Sequence, residues 1–207
     1  MSEKVKRILM TVLGVSICGI SVGFFSYSDL GMDPFQVFVH GLWGLTGIRF
    51  GTFYTITNIV MLVLIFILNK KKIGLGTLIN LFLLGYISEF SEWVLGKMLP
   101  DPTFITRIIV LAVAVVVMCL SSALYFTADL GVSTYDAIAL TIDERTPDKM
   151  QFRFIRIGTD LVCVIIGGLL GATVGIGTII TAFFMGPLIA FFNRTVAVPM
   201  LYGKVGK

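Results

Sequence analysis

The chain has 207 residues, of which 57% are apolar, with 22 glycines, a mean hydropathy of +0.97 and a formal net charge of +4 from 16 basic and 12 acidic side chains. Soluble domains carry roughly 45–50% apolar residues, so this composition excludes one. It also excludes a disordered, collagen-like or coiled-coil chain, and the dispersed basic residues exclude a nucleic-acid partner. The solvent for such a chain is a lipid bilayer.

Crossing ~30 Å of hydrocarbon takes about 20 apolar residues in a helix. Six stretches qualify, at about residues 8–28, 50–69, 73–95, 104–127, 154–172 and 176–197. Lys4, Lys6 and Arg7 ahead of the first stretch imitate a signal peptide, but no small-residue cleavage site follows Phe24 and Phe25, so the segment stays as a span. With the N-terminus in the cytoplasm, 13 of the 16 basic residues fall on that side, in the N-terminal segment, at Lys70 to Lys72, at Arg145, Lys149, Arg153 and Arg156, and at Arg194, Lys204 and Lys207. That is the bias that sets orientation in membranes, and it puts both termini in the cytoplasm.

Between the first and second stretches stand Asp29, Leu30 and Gly31, and the same triplet returns 100 residues later as Asp129, Leu130 and Gly131. Ser21 matches Ser121 and Phe35 matches Tyr135. Gly74, Gly76 and Thr77 return as Gly175, Gly177 and Thr178, and Gly85 as Gly186. Two motifs repeated in the same order and spacing indicate an internal duplication, about 8–98 and about 104–198, within a single membrane domain covering 1–207. Each half holds three crossings, an odd number, so the expected fold is all-α, with six transmembrane helices in two inverted three-helix repeats. The alternative is a duplication that only supplies a stable bundle.

After each triplet a new short helix is expected. Asp33 is an N-cap residue, Pro34 suits the first helical position, and Gln36 can close a capping box; Ser133, Thr134, Tyr135 and Asp136 offer the same device in the second half. Residues 34 to about 43 and 135–142 are too short to span, so each should re-enter or lie along the interface, with Gly31 and Gly131 as hinges. Two helix N-termini aimed at the centre would suit an anionic or carbonyl-bearing solute, unless Asp33 and Asp136 already satisfy the free N–H donors as structural caps.

Within the spans, Asp160 needs a partner or a proton. Arg156 one turn earlier offers an ion pair, and titration during transport is the functional alternative; Asn58 occupies nearly the same place in the other half. Thr77 and Thr178 either cap their helices or contact an ion. Glu89 and Glu92 with Trp93 read as an interfacial anchor or an external vestibule, and His40 as a packing residue or a proton relay. Gly167, Gly171 and Gly175 at four-residue spacing suit a close helix seam, within the chain or in a homodimer. Cys18, Cys119 and Cys163 form no CxxC and read as buried small hydrophobes, and no metal or cofactor motif is present.

The segments "GVSICGISVGFFSYSDLGMDPFQVFVHGL", "GLGTLINLFLLG", "ADLGVSTYDAIAL" and "GIGTIITAFFMGPLIAFF" together resemble the YczE/YyaS/YitT family of bacterial integral membrane proteins over nearly the whole chain. In that family the first motif commonly runs from Gly through small residues to Pro, an aromatic and Asp. Pro34 and Phe35 match it while Gln36 replaces the Asp; Tyr135 and Asp136 match in the second half, where Thr134 replaces the Pro. The YitT branch adds a soluble C-terminal domain and this chain stops about ten residues after its last span, so it is similar to the YczE type. The resemblance implies a six-helix membrane protein suspected of transport. The expected function is therefore a small secondary transporter or permease for a small, possibly anionic, solute; the alternative is a non-transporting scaffold or regulatory subunit. An enzyme is not expected, because the chain lacks a recognisable nucleophile and base pair.

Overall fold

A computed structural model describes residues 2–69, 73–145 and 152–203, the side chains of Asn69, Asp143, Glu144, Phe152, Arg153 and Phe154 excepted. The basic positions Lys70 to Lys72, Lys149, Lys204 and Lys207, and much of the charged loop at residues 143–149, lie outside the described residues. Among those described, all regular structure is helical: α1 Glu3–Ser28, α2 Pro34–Trp43, α3 Phe50–Asn69, α4 Leu75–Met98, α5 Phe104–Ala128, α6 Thr134–Arg145, α7 Phe152–Leu169 and α8 Ile176–Phe192. A π-helical turn at Asn193–Ala197 carries α8 into the short α9, Val198–Tyr202.

Among the described residues, five helices are long and apolar enough to cross a membrane: α1, α3, α4, α5 and the continuous stretch Ile176–Tyr202. The fifth of the six expected stretches, residues 154–172, falls on α7, whose 18 residues reach ~27 Å at 1.5 Å per residue and whose first three side chains lie outside the described residues.

The most buried pair, α1 and α5, forms the centre and runs antiparallel. Arg7 at the start of α1 donates to Ala128 O at the end of α5 (2.9 Å), Ser21 Oγ donates to Ala114 O (2.8 Å), and Asp29 past the end of α1 pairs with Arg107 at the start of α5 (3.2 Å). Small residues allow the approach: the Cα of Gly14 lies so close to α5 that a Cβ would sit 3.1 Å from Tyr125 N. At mid-length Cys18 Sγ meets Met118 Sδ at 3.6 Å, residues that the duplication makes equivalent. Arg7 and Arg107 are equivalent too, and each secures the C-terminal end of the other half's first helix, where free carbonyls favour a cation. That correspondence was available in the sequence, at the same shift of 100, and the motif reading passed over it.

Around this centre the peripheral helices repeat in kind. Helix α4 packs on α1 in the first half and α8 on α5 in the second, while the short helices are exchanged: α2 lies on α7 and α6 on α3. Gly41 and Gly167 make the first exchange possible, since a Cβ on Gly41 would lie 2.6 Å from Gly167 O and one on Gly167 would overlap Val37 O.

The expected glycine seam changes accordingly. Helix α7 ends at Leu169, so Gly171 (φ 92°) belongs to the following turn and Gly175 abuts Leu30. Only Gly167 packs a helix against a helix, and it does so within the chain.

Candidate functional site

Each Asp-Leu-Gly break is a left-handed turn held by the other half. Asp29 (φ 52°) and Asp129 (φ 50°) adopt the αL conformation, and Gly31 (φ 96°) and Gly131 (φ 109°) follow in a region open mainly to glycine. Leu30 O then accepts from Gly177 N at 2.8 Å, and Leu130 O from Gly76 N at 2.7 Å. The two GxGT motifs are thus the receptors of the two breaks, crosswise. Thr77 Oγ1 accepts from Gly74 N (3.2 Å) and donates to Val132 O (2.7 Å), and Thr178 Oγ1 accepts from Gly175 N (3.4 Å). Both threonines therefore serve the clamp and lie away from the polar centre described next. In the first break Asp29 is further held by Thr173 Oγ1 at 2.6 Å.

From the breaks the chain turns back, and the N-termini of α2 and α6 meet in the middle of the molecule. Phe35 and Tyr135, again equivalent positions, stack with ring centroids 4.9 Å apart and planes 13° from parallel. Behind them Asn58 and Asp160, near the middle of α3 and α7, reach the α6 terminus: Thr134 Oγ1 donates to Asn58 Oδ1 (2.5 Å), and the Tyr135 hydroxyl donates to Asp160. Asn58 Nδ2 donates back to Tyr54 O at 2.8 Å.

Arg156 bridges two carboxylates, Asp136 at 2.5 Å and Asp160 at 3.4 Å, with its guanidinium 4.5 Å from the centre of the Tyr135 ring. Hydropathy and spacing pointed to the contact with Asp160. They did not point to the shorter one with Asp136, which depends on how α6 packs against α7.

The caps differ between halves. Ser133 caps α6, with Asp136 N donating to Ser133 Oγ (3.1 Å), and the Ser133 hydroxyl, in place of its backbone N–H, donates to Asp136 Oδ2 (2.7 Å). In the first half Gln36 N donates to Asp33 Oδ1 at 3.2 Å, but Gln36 does not complete the expected box: its buried Oε1 has no hydrogen-bond partner among the described residues.

His40 packs its ring 4.4 Å from that of Phe50, beside Trp43, at the far end of α2 from the polar centre. Glu89 pairs with Arg49 (2.7 Å) and accepts from Gly51 N (3.2 Å), which ties the start of α3 to α4 near Trp93. Neither joins the polar centre, which among the described residues consists of Asp33, Asn58, Thr134, Tyr135, Asp136, Arg156 and Asp160.

This arrangement belongs to a chain that matches, over residues 5–194, a family described as being of unknown function, DUF6198. It is 28% identical over 193 residues to an uncharacterized protein of Haemophilus influenzae, covering 93% of this chain and 85% of the relative. To the uncharacterized membrane protein YczE of Bacillus subtilis it is 26% identical over 162 residues, covering 78% and 73%, and to YyaS of the same organism 23% over 180 residues, covering 87% and 89%. No solved structure matches. With its run of apolar helices, the chain is a membrane protein of the DUF6198 family and is YczE-like, as the resemblance in its motifs implied.

Proposed function

We propose that the chain is a small secondary transporter of a bacterial plasma membrane, with both termini cytoplasmic, in which two inverted three-helix halves exchange access to a shared site without chemical conversion of the solute. The observation that carries this reading is the convergence of two short helices, from opposite breaks, on a charged cluster in the middle of an otherwise apolar bundle. Ionisable groups at such depth are costly and mark ion or solute pathways, and broken helices at the seam of inverted repeats form such sites.

Inversion is supported by the antiparallel α1 and α5 and by equivalent residues touching one another at Cys18 with Met118 and at Phe35 with Tyr135. Residues that meet their own counterparts lie on a two-fold axis, and an axis perpendicular to α1 and α5 lies in the membrane plane. The triplet breaks then approach from opposite leaflets.

The halves also differ in the way alternating access requires. In the first, α4 is closed on α3: a Cβ on Gly85 would lie 2.8 Å from the Tyr54 Cβ, and Thr55 Oγ1 donates to Gly51 O (2.9 Å) and reaches Leu81 O (3.3 Å). In the second, α8 makes no comparable contact with α7 among the described residues, and Gly186, the counterpart of Gly85, faces open space. Exchanging the two arrangements gives the opposite-facing state. The chain carries no nucleotide-binding P-loop motif, so the energy has to come from an ion gradient, from that of the solute or from a separate partner.

In proteoliposomes, wild-type protein takes up or releases at least one member of a broad metabolite panel, and Asp160→Asn abolishes that flux while preserving folded yield. Flux unchanged in the variant removes Asp160 from the pathway; no flux of any solute, together with a co-purifying protein in mild detergent, favours a scaffold instead.

A further inference from the structure

A cavity of about 350 Å³ opens between α3 and α7, with the stacked rings of Phe35 and Tyr135 among the residues that line it. Met61 on α3 and Gly158, Thr159 and Cys163 on α7 contribute to its walls, which are almost wholly apolar. Helices α3 and α7 make few contacts with each other, and Val60, Val63, Leu64, Leu161, Val162 and Ile165 on them are exposed to the surroundings, which for this chain are hydrocarbon. The cavity is therefore reached sideways, from within the bilayer.

Immediately behind the aromatic pair lies the charged cluster. The Tyr135 ring lines the cavity while its hydroxyl donates to Asp160 and its face carries the Arg156 guanidinium. Among the described residues Asp33, Asp136 and Asp160 stand there against Arg156, and α3, α1 beyond Arg7 and α5 beyond Arg107 bring no further charge. The helix N-termini of α2 and α6 add partial positive charge, but Asp33 and Ser133 each already accept from one of their N–H donors. The balance is negative in a low-dielectric setting, which disfavours the anionic solute expected from the helix termini alone and favours a cation.

Arg156 holds Asp136 closely and Asp160 loosely, at 2.5 and 3.4 Å, so Asp160 is the carboxylate that an incoming cation can take over. Both faces of the Tyr135 ring are taken, by Phe35 and by the Arg156 guanidinium, so the charge of an incoming ammonium group or other organic cation is met by the Asp160 carboxylate.

We propose that the cleft between α3 and α7 takes a hydrophobic organic cation from the bilayer, seating its apolar body against Met61 and Cys163 and its charge at Tyr135 and Asp160. The proposal rests on the transporter reading and deepens it by naming the solute class.

The test uses the full chain in nanodiscs with three probes of one shape: (2-naphthylmethyl)trimethylammonium, its uncharged neopentyl analogue and 2-naphthylacetate. Saturable binding is read from naphthalene fluorescence. The cation is expected to bind about tenfold tighter than the neutral probe, the size of one desolvated cation contact. Asp160→Asn should bring the cation down to the neutral level. Gly158→Leu should remove saturable binding of both; a Cβ at Gly158 meets nothing within 4 Å, so the change fills the cleft without a backbone clash. Val162→Phe, on a partly exposed wall, serves as a second block.

Preference for the acetate, equal binding of cation and neutral probe, or binding unaffected by both blocking variants would overturn the proposal. Binding as expected with no flux of any cation in proteoliposomes overturns the transporter reading and leaves the site. Flux of other solutes sensitive to Asp160→Asn, with no cation binding, does the reverse.

Discussion

Gly177→Ala is expected to lower the apparent melting temperature sharply, while Gly186→Ala leaves it unchanged or raises it. Both glycines lie in α8 and both are replaced by the same small residue, so intrinsic helix propensity favours each substitution by up to about 1 kcal/mol. What separates them is the neighbour. A Cβ on Gly177 would overlap the Gly31 carbonyl, and the adjacent backbone must stay in place because Gly177 N donates to Leu30 O at 2.8 Å. Backbone cannot rotate away as a side-chain end can, so relief requires prying the break from its receptor, at about 1–3 kcal/mol. Gly186 has open space at the same substitution. Gly74→Ala should repeat the loss in the other half, where the Cβ would overlap Leu130 O. Detergent-solubilised protein heated and assayed for the monodisperse fraction gives the comparison. Equal stability of Gly177→Ala and Gly186→Ala would show that the crosswise clamp does not hold the halves together.

Arg156→Leu should be the most damaging single change in the polar centre. It removes the guanidinium that, among the described residues, faces Asp136 and Asp160 and strands both carboxylates among helices, a situation that costs about 3–5 kcal/mol when one partner of a buried pair is lost. The side chains keep some exposure, 36% for Arg156 and 16% for Asp160 at their pair, so the lower end of that range is expected. Neutralising the stranded groups by adding Asp136→Asn and Asp160→Asn should recover most of the stability, because uncharged replacement of the whole set avoids the desolvation penalty. Stability recovered without flux would separate the role of these charges in transport from any role in folding. If Arg156→Leu alone melts with the wild type, the cluster is well solvated and the electrostatic argument for a cation loses its basis.

The duplicated Asp-Leu-Gly and GxGT motifs, the short helices after the breaks and the central position of Asn58 and Asp160 were legible in the sequence because they depend on local chemistry: glycine where φ is positive, Ser or Asp at a helix start, a charge inside an apolar run. What those motifs touch was not legible. Hydropathy does not encode the register between helices 100 residues apart, so the crosswise docking of each break on the other half's GxGT, and the pairing of Arg156 with Asp136, had no local sign. Gln36 shows the limit from the other side. Its spacing from Asp33 fits a capping box, yet its carbonyl oxygen has no partner among the described residues, while Asp136 at the equivalent place accepts from the Ser133 hydroxyl.

The inverted arrangement of the halves is tested most directly by labelling single cysteines from either side of the membrane, in a background where Cys18, Cys119 and Cys163 are replaced by serine. Gly47→Cys follows α2, and Pro147→Cys lies at the matching place in the second half, outside the described residues. A membrane-impermeant maleimide added to intact cells should label position 47 and leave position 147 protected until the cytoplasmic face is opened. Labelling of both from one side would place the two breaks on the same leaflet and contradict the account.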